Sequence, residues 1–442
     1  MMPFQFTGWL TFDRNGADPI FIPRQQHTGA SLPSSLFLTL GPGWRQQVPV
    51  RKTTPPSKNE VRCPVQVIRD QRGHYRAGPF VAILAAGKPK GFSGVRSNFL
   101  DLIHTGRRMG VTVFVITPAG LKRNDKRVEG FIPKRGHRGN QAQWISATFP
   151  MPHVVYNRIP NRQAENRAPE QQALAKLSAM PGVHLFNPSF FNKWELFLRM
   201  KHSTQLARLL PDTVRWEKGE RLEEMAQKHP TLFLKPVNGK AGHGMIRITR
   251  KERGFEIVDQ KVYNKKRFHV DDMQALKKKL NLLTGNRRYV LQQGIQLATY
   301  GGRPFDLRIL MQKNGAGKWS HTGIGIRVAG KEAISTHVPM GGSIADSSRV
   351  LQSLFGKRAA AVTEKIRTTT LDIARHIEQE EGKNLGEMSM DLGLETNEKL
   401  WFFEANAKPM KFDEPGIRRL SLQRLLQYCL FLSGFPTVTA GR

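Results

Sequence analysis

Short apolar runs alternate with amphipathic helical patterns from residue 80 onwards. Residues 80–84 are all apolar, residues 97–109 have helical spacing, and residues 111–117 form a second apolar run. A strand, a helix and a strand in this order make a βαβ unit, which requires a parallel sheet. The next predicted strand, 154–158, ends on polar residues, where such sheets collect ligands. Arg158 and Arg162 there either receive a carboxylate or lie on the surface.

The first 76 residues show a different pattern. Gly, Pro and Thr interrupt short apolar runs such as 35–40 and 65–68, and no helical period is sustained. This is typical of short strands. We expect a small β-rich accessory domain, in which we find no candidate chemistry.

The rest of the chain mixes predicted helices and strands. Helices are predicted at 193–210 (ending before Pro211), 271–283, 357–381 and 416–432, and strands at 231–236, 245–248, 288–295, 305–311, 324–329, 386–394 and 401–406. The helix at 271–283 is rich in lysine, which is typical of a solvent-facing surface. Cys429, in the last helix, is expected to be a packed apolar residue.

The composition favours certain classes of binding partner but does not select one of them. The 442 residues include 69 Lys and Arg against 35 Asp and Glu, a net charge of +34. Such a charge favours nucleic acid, acidic polypeptide, an anionic membrane or a multiply phosphorylated ligand. The basic residues are spread along the chain, however, so solvated helix faces account for most of them.

The sequence predicts an intracellular, soluble protein. Its two cysteines, Cys63 and Cys429, lie far apart and have no metal-binding spacing, which suits a reducing compartment. No apolar run approaches the roughly 20 residues of a membrane helix. The first ten residues lack a basic segment followed by an apolar one, so no signal peptide is expected.

Candidate metal ligands lie near the end of the chain. Asp391 follows one apolar run, and Glu404 and Asn406 end the next. Alternation along a strand puts Glu404 and Asn406 on one face, and a turn between the runs brings Asp391 beside them. Carboxylate and amide oxygens are ligands that Mg²⁺ accepts. The alternative is an ordinary hairpin with solvated acids.

Candidate phosphate-binding residues lie upstream. Lys193 begins a predicted helix, and Lys235 ends a strand that is followed by a loop with Gly239, Gly242 and Gly244. Glycines permit close backbone approach, so that N–H groups converge on phosphate oxygens. The loop is not a Walker loop, because a strand follows it and no Gly-Lys-Ser/Thr opens a helix. A plain glycine-rich hairpin is the alternative.

Further polar residues interrupt three apolar strands. Gln292 and Gln293 end one strand, and Arg308 and Arg327 each lie in a later one. Arg308 shares one face of its strand with Asp306, whereas Arg327 is alone among apolar neighbours. An arginine buried without a partner is unfavourable, so Arg327 needs one. Phosphate is one candidate partner and a structural carboxylate is the other.

These residues, in this order, resemble the ATP-grasp superfamily. The stretch Glu404-Ala405-Asn406-Ala407-Lys408-Pro409 looks like its E-x-N-x-x-P metal strand. Within it, the chain resembles the YheC/YheD-like family of spore-coat-associated proteins. That resemblance covers about residues 80–435 and is carried by segments 156–162, 186–188, 192–195, 234–239 and 304–308 and by the Glu404 strand. Residues 388–390 depart locally from the pattern, but the spacing of the acids is kept. Residues 292–308 also look like the matching segment of tubulin-tyrosine-ligase-like enzymes and of the ribosomal-protein glutamate ligase.

The resemblance implies a fold of mixed α/β and α+β class, with two α+β lobes that clasp ATP. We expect a β-rich accessory domain at 1–76, a Rossmann-like pre-ATP-grasp domain at 77–188, one lobe with the glycine-rich loop at 189–300, and a second lobe with the magnesium site at 301–442.

The resemblance also implies a carboxylate–amine ligase that acts through an acylphosphate. Lys193, Lys235 and the glycine loop then hold the phosphates of ATP, while Gln292, Gln293 and Ile295 read the adenine. Two magnesium ions bind Asp391, Glu404 and Asn406, while Arg308 and Arg327 neutralise the phosphoryl group.

The expected substrate is a small molecule or an acidic peptide or protein, and the expected location is the cytoplasm of the mother cell and then the spore coat. The sequence does not identify the acid, the amine or the oligomeric state. Two alternatives stay open: a structural coat-associated protein that binds ATP with little or no turnover, and a nucleic-acid-binding protein. The second is disfavoured because no basic motif interleaved with aromatic residues is present.

Overall fold

The computed structural model describes most of the chain. The described residues are 5–15, 19–24, 33–53, 60–69, 73–121, 126–134, 142–237, 243–260, 265–331, 333–334, 336 and 341–437. Within them, four six-stranded sheets and a two-stranded sheet carry the fold. None of the helices in these ranges is long and apolar enough to cross a membrane.

The first sheet contains only strands that precede residue 79. They are β1 (Gln5–Asp13), β2 (Ile20–Pro23), β3 (Ser35–Leu40), β4 (Trp44–Pro49), β5 (Glu60–Arg69) and β6 (Tyr75–Gly78), in the spatial order β2-β1-β5-β6-β3-β4. The β-rich character expected for this region is confirmed. β6 spans the predicted boundary at residue 76, and the sheet shares one hydrophobic core with the second sheet. Phe12, for example, packs edge-on against Phe149.

The second sheet contains the βαβ unit. Its region comprises β7 (Phe80–Leu84), the two-stranded sheet of β8 (Ala86–Gly87) and β9 (Phe92–Ser93), α1 (Arg96–Met109), β10 (Thr112–Ile116), β11 (Arg127–Pro133), β12 (Trp144–Pro150), β13 (Val154–Asn157), α2 (Arg162–Glu165), α3 (Ala168–Ala179) and β14 (His184–Phe186). The order is β12-β11-β10-β7-β13-β14, and β7 pairs in parallel with β10 and β13. Every residue of β7 and β10 is buried, as expected for strands covered on both faces.

The third sheet is antiparallel and lies next along the chain. Its region comprises α4 (Lys193–His202), β15 (Thr213–Arg215), α5 (Leu222–Lys228), β16 (Thr231–Pro236), β17 (Met245–Arg250), β18 (Phe255–Gln260), β19 (Lys265–Val270), α6 (Met273–Thr284) and β20 (Tyr289–Gln293), with the strand order β15-β20-β16-β17-β18-β19. The prediction of one helix over 193–210 is wrong, because α4 ends at His202. The Ser203 hydroxyl accepts a hydrogen bond from the Leu206 amide at 3.3 Å, a local bond that competes with the helical pattern.

The fourth sheet completes the fold. Its region comprises β21 (Thr299–Tyr300), β22 (Arg303–Lys313), β23 (Trp319–Val328), β24 (Ser343–Ala345), α7 (Ser347–Phe355), α8 (Ala359–Glu381), β25 (Glu387–Leu394), β26 (Leu400–Asn406) and α9 (Pro415–Ser433). The order is β24-β23-β22-β25-β26, with β21 beside β22. α9 returns to pack on the second sheet, where Cys429 is fully buried in the core, as expected.

Asn187 ties the second sheet to the fourth. It is fully buried and has φ +53°, a left-handed conformation that asparagine tolerates. Its Nδ2 donates to the carbonyl oxygens of Glu387 and Ala407, and its Oδ1 accepts from the amides of Gly386 and Glu387. One side chain therefore fixes the start of β25 and the backbone just beyond β26.

The Asn187→Ala variant should be markedly less stable. It leaves buried groups of Gly386, Glu387 and Ala407 without partners, and each such group costs about 1–3 kcal/mol. We expect the free energy of unfolding to fall by about 3 kcal/mol or more in urea titrations. Asn166→Ala, at an exposed asparagine, is the control, with an expected change within about 0.5 kcal/mol. Equal stability of the two variants would contradict the role of Asn187.

Candidate functional site

The predicted lysines and acids meet beside β26, in a region that we call the cleft. Lys193, at the start of α4, lies with its Nζ 2.5 Å from Glu404 Oε2 on β26. Lys235, on β16, has its Nζ 5.1 Å from the centre of the Phe403 ring. Residues more than 160 positions apart in the chain therefore meet at one place, which is the convergence that their sequence order predicts.

Lys235 lies on the open face of the third sheet. The alternate residues Leu232 and Leu234 pack under the helices, so Lys235 points the other way. Its ammonium donates to Gln292 Oε1, and Gln292 Nε2 donates to the Thr213 hydroxyl at 2.9 Å. Burial lowers the pKa of Lys235 from 10.5 to about 8, although the charge of Glu404 opposes this. The lysine is thus held in a partly dry site by neutral partners.

The neighbouring glutamine faces elsewhere. The Gln293 side chain accepts a hydrogen bond from the backbone amide of Asp212 at 3.2 Å, on the opposite face of β20 from Gln292. Ile295 lies beyond the strand and is partly buried. Of the predicted loop glycines, Gly239 and Gly242 lie outside the described residues. Gly244 has φ +72°, and its carbonyl accepts from the Tyr289 hydroxyl at 3.1 Å.

A β-bulge sets the direction of the side chains on β26. Asp391 pairs with Glu404, and the next residue, Leu392, pairs with Phe402, so that Phe403 has no partner across the ladder. The extra residue shifts the alternation of β26 by one position. Phe402 therefore joins the core while Phe403 and Glu404 lie toward the cleft.

The bulge also lets Ala405 enter the core and leaves Asn406 on the side of Glu404. The predicted common face of Glu404 and Asn406 is thus confirmed. Gly393, on the neighbouring strand, leaves room for the displaced ring, since a Cβ there would lie 2.7 Å from Phe403 Cζ. The sequence carries no signal for the bulge, so the position of Phe403 could not be predicted.

Arg327 lies between two buried carboxylates. Its Nε and Nη2 donate to the two oxygens of Asp306 at 2.9 and 2.7 Å, and Nη2 lies 2.8 Å from Asp391 Oδ2. The Thr336 hydroxyl donates to Asp306 at 2.6 Å. Burial lowers the pKa of Arg327, but the charges of Asp391 and Asp306 outweigh it, so the pKa lies above its ordinary value. Of the two candidate partners, Arg327 has the structural carboxylate.

Asp391 keeps one oxygen available. Burial raises the pKa of its carboxyl, against the opposing charge of Arg327. Its Oδ1 is buried and has no hydrogen-bond partner among the residues that the structure describes. Buried polar atoms normally have partners, so this one suits a bound cation.

The predicted ligand set fits a hard cation. Asp391 lies directly opposite Glu404 across the β25–β26 ladder, and Asn406 Nδ2 donates to Glu404 Oε1 at 3.1 Å. Among the described residues, no three His, Cys, Asp or Glu side chains converge on a common point. A third protein oxygen therefore has to come from an amide such as that of Asn406, which Mg²⁺ accepts.

Arg308 lies two residues from Asp306 on the same face of β22 and directly opposite Asp391 on β25. Its guanidinium is partly exposed, stacks 4.9 Å from the Phe412 ring centre, and donates weakly to the Met410 carbonyl at 3.5 Å. In contrast to Arg327, it has no carboxylate partner within salt-bridge distance among the pairs that the structure describes. Arg308 is thus the arginine better placed to meet an incoming anion.

The segment that follows β26 is anchored by a buried ion pair. Lys408 Nζ donates to Glu165, which also accepts from Asn157 Nδ2 at 3.2 Å and from the Phe190 amide at 3.1 Å. Burial lowers the pKa of Lys408 to about 8, while Glu165 opposes the shift. Sequence reasoning missed Glu165 because its partners lie up to 243 positions away.

The arginines of the predicted strand exit at 158–162 are also structural. Arg158 lies 3.6 Å from buried Glu387 and donates to the Pro409 carbonyl at 3.1 Å. Arg162 donates to the Phe191 carbonyl. The sequence left open whether Arg158 receives a carboxylate or lies on the surface. Arg158 does receive a carboxylate, which is that of Glu387 in the same chain.

Known proteins that are similar to this chain match it over most of its length. A family model described as YheC/D-like ATP-grasp matches residues 182–432, more than half of the chain. The endospore coat-associated protein YheD of Bacillus subtilis is 27% identical over 379 residues, which cover 83% of this chain and 81% of YheD. YheC of the same organism is 18% identical over 309 residues, covering 70% and 84%. The D-alanine–D-alanine ligase of Coxiella burnetii matches with a TM-score of 0.46 at 12% identity, covering 80% of this chain and 94% of the ligase.

Replacing Lys235 by methionine should change how stability depends on pH. Between about pH 8 and 10.5 the unfolded wild-type chain binds more protons than the native one, so wild-type stability rises with pH there. Methionine does not titrate. We expect the wild type to gain about 2 kcal/mol relative to Lys235→Met over this range, measured by urea unfolding at several pH values. Lys277→Met, at an exposed lysine, controls for the loss of one charge, and a parallel pH profile of Lys235→Met and wild type would contradict the prediction.

Proposed function

Because the chain belongs to the YheC/D-like ATP-grasp family, we propose that it is an ATP- and magnesium-dependent ligase that joins a carboxylate to an amine. The observation that carries this proposal is the cleft itself. Lys193 on α4 and Lys235 on β16 both lie beside the β25–β26 ladder, in which Asp391 lies opposite Glu404. Two cations beside two carboxylates suit a phosphate chain that is bound together with a divalent metal.

The two lysines hold the phosphates of ATP. Lys193 pairs with the Glu404 carboxylate in the free protein and with a phosphate oxygen in the complex. The exchange is feasible because both groups are anions, and it frees Glu404 to bind the metal that arrives with the nucleotide. Lys235 contributes its charge from the neighbouring strand, and the loop with Gly239, Gly242 and Gly244 supplies backbone N–H groups.

The adenine is read at the exit of β20, by groups around Gln292, Gln293 and Ile295. Gln292 supports this assignment because it bridges Lys235 and Thr213. The Gln293 side chain faces away, so its contribution to recognition comes from its backbone. Ile295 offers an apolar surface for the base.

Asp391, Glu404 and Asn406 hold magnesium, two ions in the full complex. This assignment is supported by Asp391 Oδ1, which is buried and lacks a hydrogen-bond partner in the described part of the chain. Bound magnesium supplies positive charge that offsets the charge on the phosphate oxygens. Arg327 acts as a positioning residue, because it bonds Asp391 and holds that carboxylate in place.

Catalysis consists mainly of positioning and electrostatic stabilisation. An oxygen of the substrate carboxylate attacks the γ-phosphorus of ATP, and the bond to the departing ADP oxygen breaks, giving an acylphosphate. Arg308, the more exposed arginine, neutralises the transferring group. The amine then attacks the carbonyl carbon, the amide bond forms, phosphate leaves with the bonding electrons, and the proton of the amine passes to solvent.

An acidic peptide or protein fits the chain best as the substrate. A net charge of +34 makes approach of a polyanion favourable. The two similar curated proteins are described as endospore coat-associated. We therefore place the activity in formation of the spore coat, with the protein made in the mother-cell cytoplasm.

A second function is supported by those same descriptions, which give a location and no reaction. In this alternative, the chain is a structural coat-associated protein that binds ATP with little or no turnover. The two proposals share the nucleotide site and differ in the release of ADP and in product formation.

Glu404→Gln should abolish turnover while leaving the fold intact. The substitution keeps the shape of the side chain but removes one of the two metal carboxylates, so we expect the rate of ADP release to fall by about 10³-fold or more. Glu395→Gln, on the turn between the same two strands, is the matched control and should keep wild-type turnover. Full ATP-dependent activity of Glu404→Gln would refute the metal assignment.

A product screen should separate the two functions. Purified protein is incubated with ATP, magnesium and pairs of acids and amines, including glutamate-rich peptides. A ligase releases ADP and phosphate and gives a product whose mass equals acid plus amine minus water. Nucleotide binding without ADP release in any pair would favour the structural role. The Glu404→Gln variant shows which signals come from contaminating ATPases.

A further inference from the structure

We propose that Ser389 and Arg308 bind the reacting carboxylate of the acid substrate, and that the short stem of this acid lies in the cavity beside them. The proposed function gives the reaction and an acidic peptide, but it does not say where the acid binds. The inference rests on that function, because it names the group that the ligase activates. The binding itself is measured without turnover.

Ser389 carries a buried hydroxyl in the middle of β25. The residue is 1% exposed, and its Oγ has no hydrogen-bond partner among the residues that the structure describes. Glu387 and Asp391, two positions away on either side, lie on the same face of the strand. Buried hydroxyls are normally hydrogen-bonded, so this one suits a bound ligand.

Arg308 is a close neighbour of this hydroxyl. Across the β22–β25 ladder, Leu310 pairs with Ser389 and Arg308 pairs with Asp391. Arg308 is therefore diagonal to Ser389, at a separation of about 7–8 Å that a long side chain can span. Asp391 does not exclude an anion from this place, because its charge is compensated by Arg327. A guanidinium and a hydroxyl at neighbouring positions are donors that suit one carboxylate.

A small cavity adjoins these two residues. Leu310, the partner of Ser389 across the ladder, lines the cavity, and residues 409–412 line it as well. Phe412 belongs both to this lining and to the stack on Arg308, where the guanidinium lies 4.9 Å from the ring centre. A ligand whose carboxylate is bound by Arg308 and Ser389 can therefore continue into the cavity.

The cavity suits a short aliphatic group. Its lining includes Leu102, Leu422 and Leu425. The carboxylate of Glu387, which also lines it, is already compensated, since it accepts from Gln312 at 3.0 Å and lies 3.6 Å from Arg158. The volume is about 40 Å³. One water molecule needs about 10–15 Å³ on this measure, so the cavity holds about three or four non-hydrogen atoms.

The cavity reaches the surface beside Met410. This residue lines the cavity and is 62% exposed, and the basic residue Lys411 is also part of the lining. A peptide that stays outside can therefore send one side chain inward while its other acidic groups lie near Lys411. Glutamate fits this arrangement better than aspartate, because two methylene groups rather than one separate its carboxylate from the peptide backbone.

Binding is measured by calorimetry on the full chain, with and without magnesium and a non-hydrolysable ATP analogue. The probe is acetyl-Gly-Glu-Gly-amide, which carries a single carboxylate. We expect the matching aspartate peptide to bind at least tenfold more weakly, since it is one methylene shorter. The glutamine peptide, which has no charge, and a para-carboxyphenylalanine peptide, which is too wide for the cavity, should give no measurable binding.

Ser389→Ala should separate binding from folding. We expect its affinity for the glutamate peptide to fall about tenfold, because a hydrogen bond to a charged carboxylate is lost. Its midpoint of urea unfolding should stay the same or rise, because no hydrogen bond within the described part of the chain is removed. Ser433→Ala is the matched control, since the buried Ser433 hydroxyl donates to the Cys429 carbonyl at 2.7 Å and does not line the cavity. It should be less stable than the wild type and bind the peptide equally well.

Wild-type affinity of Ser389→Ala, or a loss of its stability as large as that of Ser433→Ala, would overturn the proposal. Equal binding of the glutamate and glutamine peptides, or no binding of any peptide, would also overturn it. The expected binding pattern without ADP release in the product screen would refute only the ligase. ADP release with an acid that Ser389→Ala binds as tightly as the wild type would refute only this binding site.

Discussion

Charge compensation between distant segments is the constraint on which the cleft depends. Asp306 and Asp391 are both buried on one face of the fourth sheet, and Arg327 on β23 forms an ion pair with each of them. Removing charges from water is expensive, so such a group is stable only when every member is present. The same logic applies at the mouth of the cleft, where Lys193 faces Glu404. The polar face of the sheet is therefore organised before any ligand arrives, and its arrangement fixes where an anion and a cation can enter.

The sequence predicts the strands that carry this site better than it predicts the partners of their side chains or the ends of the helices. Alternation of apolar and polar residues is sufficient to place Arg308, Asp391 and Glu404 on strands, because the residues at the alternate positions enter the core under α7 and α8. The partner of Arg327 was left open between phosphate and carboxylate, since alternation gives the face of a residue but not what lies across from it. Helix α4 ended early through a serine hydroxyl, a local competition that hydrophobic periodicity does not register.

Long-range supports were the part least accessible from the sequence. Asn187 and Glu165 both hold the segment beyond β26, but each does so across more than 200 positions. A buried asparagine with four hydrogen bonds and a buried Glu–Lys pair have no local signature. Their consequence is architectural: the second sheet is part of the scaffold that aims Glu404 and Asn406. The fold class follows from the family, whereas these couplings are visible only in three dimensions.

The unpaired Phe403 has a bearing on how relatives of this chain are aligned. A strand that carries one additional residue can be matched to a regular strand in two ways, and the two choices differ by a single gap. In one alignment, Glu404 and Asn406 fall on the oxygen-bearing positions of the regular strand. In the other, they fall on positions that are buried and apolar. Phe402 and Ala405 lie in the core while Glu404 and Asn406 lie on the other side, so only a gap at Phe403 keeps both pairs of positions in register. Gaps in this strand should therefore be placed by structure, or an intact site will be mistaken for a degenerate one.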